Sequence, residues 1–421
     1  MTSFPKESDV VIIGGGIIGV STAYYLAKSG VSVTLVEKGI IAGEQSSRNW
    51  GFVRQQGRDP AEIPTIMRSL ALWKGLSKEL GEDIGFKQAG VFYLANTEEQ
   101  VAGYEDWLKH AKEYQIDSHI VPKAEIQKYI PNNSGGWLAA LRTPSDGKAE
   151  PSKATTALAR GANNLGANIL TNCAVFGLET EAGRVSSVRT ELGSIKTNTV
   201  LCAGGTWSSL FCGRHNIPLP QLKVRSSVLR TSPAPEISKH SIWCRDVALR
   251  RRQDGGYTVA HGSATEAPIV PDTFKWGIKY LESYKKEKSR LRIKLNGRFY
   301  KELMTARRWN IDGPSPFESE RIYDVSPNKK ILNEAFNNLR NLFPQLENAT
   351  IIESWAGLID VTPDAVPVIS PVEKIPGFYL ATGFSGHGFG IGPGAGELAA
   401  HMITGKASKQ ELSNFDYSRF F

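Results

Sequence analysis

Cysteine is scarce in this chain. Cys173, Cys202, Cys212 and Cys244 are the only four in 421 residues, and none stand at C-x-x-C or other metal-ligand spacing. That pattern excludes a zinc ribbon or a disulfide scaffold, so no metal is expected and the four read as reduced structural thiols. No apolar run reaches the roughly 20 residues that a membrane-spanning helix needs. The N-terminus lacks a basic region followed by an apolar segment and a cleavage site, and the reduced thiols lead to the expectation of a cytoplasmic protein. Internal repeats and low-complexity tracts are also missing. Charge imbalance is missing too, except in one place. The chain carries +8, while Lys275 to Arg308 holds twelve Lys or Arg against three Glu, a local +9 that leaves the rest near −1. A solvated helix face is the expected reading of that segment; an acidic partner, an anionic substrate or a membrane surface are the alternatives. It shows no nucleic-acid module, and no nucleic-acid partner is expected. At 421 residues, with 41% hydrophobic and 22% charged, the chain reads as a globular protein of two domains.

What is present is organised around Val10 to Lys38, VVIIGGGIIGVSTAYYLAKSGVSVTLVEK. Val10 to Ile13 is a short apolar run suited to a buried parallel strand. Gly14, Gly16 and Gly19 follow at G-x-G-x-x-G spacing. The first allows a tight turn, the second lets backbone approach a pyrophosphate, and the third lets helix pack on strand. A helix from Ile17 to Lys28 aims its unpaired N–H groups at phosphate, and Gly30 stops it. Val31 to Val36 is the next strand, with Glu37 at its carboxyl end to take a ribose hydroxyl pair. Glu37 repels a 2′-phosphate, which excludes NADP and leaves NAD and FAD open.

Downstream, Ile63 to Leu80 has Ile66, Leu70, Trp73 and Leu76 at helical spacing. Further helices are expected over Glu98–Tyr114, Pro122–Ile130, Ser152–Leu165 and Asn328–Phe343. Strands are expected over Asn198–Cys202, Lys223–Thr231, Thr350–Ser354 and Gly377–Ala381, and a hairpin joins Val247–Gln253 to Tyr257–His261 across Asp254-Gly255-Gly256. WAGLIDVTPDAVPVIS reads as turn-rich, and the last helix is expected from about Gly394 to Ile403. Nucleotide-type strands occur at the start, middle and end. The fold is therefore expected to be α/β, with a discontinuous Rossmann-like domain of 1–84, 146–220 and 345–421. An α+β substrate domain of 85–145 and 221–344, with a mainly antiparallel sheet, is inserted in it.

Four blocks together resemble the D-amino-acid oxidase superfamily of flavoproteins, which includes glycine oxidase, sarcosine oxidase, D-amino-acid dehydrogenase and opine-oxidase β-subunit types. They are the glycine turn with Glu37, SSRNWG, LCAGGTWS at 201–208, and the pair WAGLIDVTPDAVPVIS and GFSGHGFGIGPGAGE. The resemblance implies FAD, held by Gly14, Gly16, Ile17, Ile18 and Gly19 in the first turn and by Glu37 and Lys38 at the ribose. It further implies Ser46, Ser47, Asn49 and Gly51 in the following loop, Val175 at the adenine, and Ala203, Gly204, Trp207 and Gly357 along the cofactor. Gly386, His387, Gly388 and Phe389 would lie along the flavin ring, with the whole glycine run from 383 to 396 approaching it closely.

The implied activity is oxidation of the C–N bond of an amino acid or secondary amine, with hydride passing to flavin N5 and the imine then hydrolysing. Three departures from the family stand out. Gly357-Leu358-Ile359-Asp360 lacks the arginine that grips substrate in glycine oxidase-like members. Gly357 falls where sarcosine oxidase-like members carry a flavin-linked cysteine, so noncovalent FAD is expected. Gly390 stands where those oxidases have a lysine tied to oxygen reactivity, which leaves room for a dehydrogenase. A substrate carboxylate would need an arginine. Arg54 is the leading candidate, followed by Arg225 and Arg251; Tyr257 and His261 share a strand face that borders the pocket or packs in the core. No acid/base residue stands out; His387 reads as shaping the flavin loop. The alternatives are an opine-type subunit working with partner chains, a homo-oligomer, and a flavin-bearing scaffold with little catalysis.

Overall fold

The computed structural model describes residues 4–407 and 410–421. Val10–Ile13 lies inside a six-stranded sheet because its apolar side chains are covered on both faces. It pairs in parallel with Val33–Val36, Ile12 opposite Leu35, and with Val200–Cys202, Ile12 opposite Leu201. Asn168–Leu170 extends the sheet on one side and Phe378–Thr382 on the other, both parallel, and Val368–Pro371 closes the far edge antiparallel. The sheet thus draws its strands from the beginning, middle and end of the chain. Val175–Glu181, Arg184–Thr190 and Gly193–Lys196 form a separate antiparallel sheet.

Helix Ile17–Lys28 packs against helices Pro151–Asn164 and Gly388–Thr404. Glycine makes this approach possible. A Cβ on Gly396 would lie 2.3 Å from Ser21 Cβ, and one on Gly392 would lie 2.5 Å from Ile17 Cγ1. The expectation that the whole glycine run faces a flat ring is therefore corrected: its second half lets helices touch. The last helix also begins at Gly388 rather than near Gly394, with Pro393 inside it. Proline that early loses only one helical hydrogen bond, the one to the Phe389 carbonyl.

A ten-stranded, mostly antiparallel sheet forms the second layer system. Leu222–Thr231 runs through it and pairs along its length with Ile351–Val361, from Leu222 opposite Val361 to Arg230 opposite Glu353. Two expectations change here. Ile351–Val361 is one continuous strand, not a strand ending at Ser354 followed by turns, because Ala356, Leu358 and Asp360 alternate inward at a period of two. It also pairs with the substrate-side sheet, so residues from 345 do not all join the dinucleotide sheet. The strand crosses between the two halves and delivers Gly357 to Asp360 to the space between them. The basic segment folds as helices Pro271–Trp276, Leu281–Glu287 and Arg298–Met304 and an edge strand, Leu291–Lys294, beside Thr265–Pro268.

Candidate cofactor and substrate site

One elongated cavity of about 390 Å³ lies between the two sheets. At one end are Gly14 to Ile18, Glu37, Lys38 and Val175; at the other are Trp50, Phe52, Arg54, Arg58 and Gly386 to Gly390. The parallel strands end at this cavity, as expected for ligand sites in open α/β sheets.

The glycine turn is built as its spacing implies. Gly14 has φ +111°, and a Cβ there would sit 2.5 Å from the Ala203 carbonyl oxygen. Gly16 caps helix Ile17–Lys28, and the first helical N–H, from Ile17, donates to Ser46 Oγ at 2.8 Å. Gly19 does not line the cavity; its Cα lies too close to Gly14 for any side chain, so it serves helix-on-strand contact alone.

Glu37 reaches back across the turn. Its Oε2 accepts the Gly15 N–H and its Oε1 the Gly39 N–H, each at 2.7 Å. Burial pushes its carboxyl up, and these two donors oppose the rise. Each oxygen keeps a lone pair for a ribose hydroxyl. Lys38 turns to protein partners: Nζ donates to the Glu320 and Arg321 carbonyls at 2.7 and 2.8 Å and stands 4.1 Å over the Trp207 ring. Trp207 in turn donates to Glu44 at 3.0 Å. Asn49 shapes its own loop, accepting the Gly51 N–H at 2.8 Å. Ser47 donates to the Glu44 carbonyl and does not line the cavity.

Sequence reasoning missed Asp360. It is buried, accepts the Gly383 N–H at 2.7 Å and the Gln221 amide at 3.1 Å, and faces the cavity beside Thr382. Burial raises its pKa, and the Gly383 N–H works against that.

The substrate end differs most from expectation. Of the five candidates, Arg54 alone lines the cavity. Its guanidinium donates to the Gln56 carbonyl and lies 5.5 Å from the Tyr93 ring centre. Arg225 pairs with Glu266 at 2.5 Å and Arg251 with Glu236 at 2.8 Å. Tyr257 is buried in the core, its hydroxyl donating to the Pro235 carbonyl at 2.8 Å, and His261 lies 3.4 Å from Glu334. Strand parity put Tyr257 and His261 on one face but could not say that this face meets other elements instead of the cavity. Arg250, on the same hairpin, is fully buried and bidentate to Glu150 at 2.8 and 3.1 Å. It also donates to the Trp50 carbonyl at 2.7 Å, which ties the hairpin to the cavity wall.

Arg58, Glu62 and Asp146 are the other residues missed. Asp146 is fully buried and accepts the Gln55 and Gln56 N–H groups at 2.8 and 3.2 Å, holding the Arg54–Arg58 loop; burial pushes its pKa up to about 7. Arg58 is 4% exposed, its Nε donates to the Arg54 carbonyl at 3.2 Å, and its Nη1 has no partner. Burial and the nearby Arg54 push it down to about 10, so it stays cationic at neutral pH. Glu62 is fully buried, with Oε2 3.0 Å from His387 Nδ1. Burial works to raise the Glu62 carboxyl, but His387, Arg58 and Arg54 outweigh it and hold it below its ordinary value. Burial and Arg58 hold the His387 imidazole down, so it is neutral, donates from Nδ1 to Glu62 and keeps Nε2 as an acceptor. The signal that was present is Arg54, Arg58 and Glu62 at four-residue steps along a polar loop.

Gly390 is tightly packed, since a Cβ would lie 3.2 Å from the Phe52 carbonyl oxygen and 3.3 Å from Val53 Cα. The four cysteines are buried and unpaired, and no cluster of metal-ligating side chains occurs among the described residues. No helix among them is long and apolar enough to cross a membrane.

A glycine turn and a strand-end acid on one side of a cavity, with an antiparallel sheet on the other, define a dinucleotide-binding α/β protein with a second, sheet-based domain. The family described as FAD dependent oxidoreductase matches residues 9–402, and the chain belongs to it. The chain is 26% identical to the sarcosine oxidase subunit beta of Arthrobacter sp, over 99% of this chain and 92% of that one. It is 25% identical to mitochondrial sarcosine dehydrogenase of Mus musculus over 99% of this chain but 42% of that protein, so it spans less than half the length of that relative. The structure of L-amino acid deaminase from Proteus myxofaciens, in complex with anthranilate, superposes with a TM-score of 0.96 at 33% identity, covering 100% of this chain and 95% of that one. The residues present fit FAD. Above Gly16 only Ser46 Oγ lies within 4 Å of a built Cβ, which leaves room for phosphate at the helix N-terminus.

Proposed function

We propose that this chain binds FAD noncovalently and oxidises the C–N bond of a free L-α-amino acid. The observation that carries the substrate reading is Arg58, a buried guanidinium whose Nη1 lacks a partner and which lines the cavity with His387. A buried cation is costly unless it is paired. A carboxylate is the group that meets that need, and Arg54 beside it adds charge. The flavin supplies the two-electron acceptor for hydride from the amine-bearing carbon. The chain's own residues do the rest. Arg58 and Arg54 grip the carboxylate. His387, held through Nδ1 by Glu62, offers Nε2 as a hydrogen-bond acceptor that orients the substrate amine. Phe52, Trp50, Leu358 and Ile359 wall off water and receive the side chain.

The L configuration is supported by the likeness to the Proteus L-amino acid deaminase. Noncovalent binding is supported by Gly357, which has no thiol to offer. Gly390 places no cationic side chain there and is tightly packed, which favours an acceptor other than oxygen. Likeness to a sarcosine oxidase subunit beta supports a second reading, in which the chain works with partner subunits. Two measurements test these readings: anaerobic mixing of the yellow holoprotein with L- and D-amino acids and simple amines, and the mass of the native assembly. Flavin reduction by L-amino acids supports the proposal; reduction by secondary amines alone would favour the second reading.

A further inference from the structure

We propose that the segment between Phe317 and Val325 is a latch over the Glu37 end of the cofactor cavity and sets the rate at which FAD enters and leaves. Phe317 and Arg321 line the cavity. Arg321 Nη1 donates to the Lys38 carbonyl at 2.8 Å, which places the segment at the end where Glu37 and Lys38 stand. Its roots lie in different halves of the molecule. Phe317 is buried in the core beside the dinucleotide sheet, its ring centre 5.8 Å from that of Trp207 and 6.2 Å from that of Phe211. Val325 bridges to Ala356 on strand Ile351–Val361, which pairs into the substrate-side sheet. The segment therefore crosses from one half to the other along the cavity.

Polar contacts tie the arm between those roots to the dinucleotide half. Lys38 Nζ donates to the Glu320 and Arg321 carbonyls at 2.7 and 2.8 Å. The Tyr323 N–H donates to Glu44 at 3.1 Å, and Arg48 donates to the Tyr323 carbonyl at 3.1 Å. Arg321 forks onto Glu191, with Nη1 2.9 Å from Oε2 and Nη2 2.5 Å from Oε1, and its guanidinium holds the Glu191 carboxyl below its ordinary value. Glycine lets the arm sit this close: a Cβ on Gly39 would lie 2.6 Å from the Arg321 carbonyl oxygen. All these partners belong to the chain itself, so they close the arm independently of any ligand. Phe317 is a fixed root because apolar burial holds it. The arm beyond it is held by hydrogen bonds and by an ion pair whose Arg321 side chain is 36% exposed. Contacts of that kind exchange readily with water, and segments held by them open at low local cost. FAD lodged against Glu37 leaves at that end only when the arm lifts, and it enters by the same step.

The proposal rests on the noncovalent binding of FAD proposed above. Its test measures flavin exchange in both directions on the full chain. Loss is followed from the diluted holoprotein by the rise of free-flavin fluorescence, and uptake by the apoprotein is followed by its quenching. Arg321→Met should speed both rates by about three- to tenfold, the effect of breaking a half-exposed bidentate pair. Glu191→Gln should speed both as well, and the double variant should be no faster than Arg321→Met alone, because one pair is broken in each case. Arg160→Met, which removes a similar exposed fork onto Glu82 away from the cavity, should alter neither rate. Unchanged rates in Arg321→Met overturn the proposal, as do effects that multiply in the double variant. Faster loss with unchanged uptake also overturns it, by making Arg321 a contact to bound FAD and not a gate. Flavin that stays with the denatured wild-type chain overturns it together with noncovalent binding. Both rates are read without substrate, so failure of the amino-acid reading leaves them unaltered.

Discussion

Replacing Arg58 by methionine separates a substrate anchor from a structural arginine. Methionine keeps the length and most of the volume of the stem while removing the charge. The lost interaction is a desolvated charge pair with the substrate carboxylate, worth about 2–5 kcal/mol of transition-state stabilisation. That is about 30- to 4,000-fold in kcat/KM, by the usual factor of ten per 1.4 kcal/mol. Without substrate the balance reverses. Arg58 is 4% exposed and its Nη1 is unpaired, so removing it also removes a desolvation cost. The substrate-free holoprotein should therefore melt close to wild type, the relieved desolvation offsetting the lost Arg54 carbonyl hydrogen bond and the support to Glu62. The assay pairs steady-state oxidation of L-amino acids, with an artificial electron acceptor, with a thermal melt followed by flavin fluorescence. Arg58→Lys should restore activity only in part, because an ammonium cannot reproduce the bidentate fork. Arg54→Ala should cost less than Arg58→Met, because the Arg54 fork is already turned to the Gln56 carbonyl. A simple amine should be nearly indifferent to all three changes. Wild-type kcat/KM in Arg58→Met, or a collapsed melting temperature with the packing volume retained, would refute the assignment.

Other consequences follow from the same geometry. Acid denaturation should release intact FAD; flavin retained on the unfolded chain would refute noncovalent binding. Glu37→Ala should weaken FAD by about 1–3 kcal/mol in equilibrium dialysis, the cost of leaving buried hydrogen-bonding groups unmatched. Gly396→Ala should lower stability by about 1–3 kcal/mol in urea titration, because its methyl would press on Ser21. His240 is packed against Phe92 and Tyr129, and burial pushes it down to about 4. The unfolded chain therefore binds a proton first, and the contribution of neutral His240 is full above about 6.5 and lost as pH falls toward 4. The urea midpoint of His240→Gln should fall less than that of wild type across this window.

The cofactor half was legible because its determinants are local. Gly14, Gly16 and Glu37 declare themselves within one strand–turn–helix–strand unit, and each lines the cavity. The substrate half depends on contacts far apart in the chain. Asp146 holds Gln55 from 91 residues away, and Glu62 meets His387 from 325 residues away. No window of sequence contains both members of either pair. Alternation put Arg251 and Tyr257 on definite faces, and pairing sets them opposite each other, yet only the neighbouring elements decide which face borders the cavity. The strand from Ile351 to Val361 was obscured by a glycine and an aspartate inside it. Asp360 is tolerated there because Gly383, Gln221 and Thr382 satisfy its carboxylate.

The central claim is that an amino acid, gripped by its carboxylate, reduces the flavin bound in this cavity. Anaerobic titration of the FAD-loaded chain with L-amino acids, followed by the loss of the yellow flavin absorbance, tests it most directly. The expected result is full bleaching by one or more L-amino acids, with none by the matching carboxylate-free amines. Flavin that dithionite bleaches and no amino acid does would contradict it.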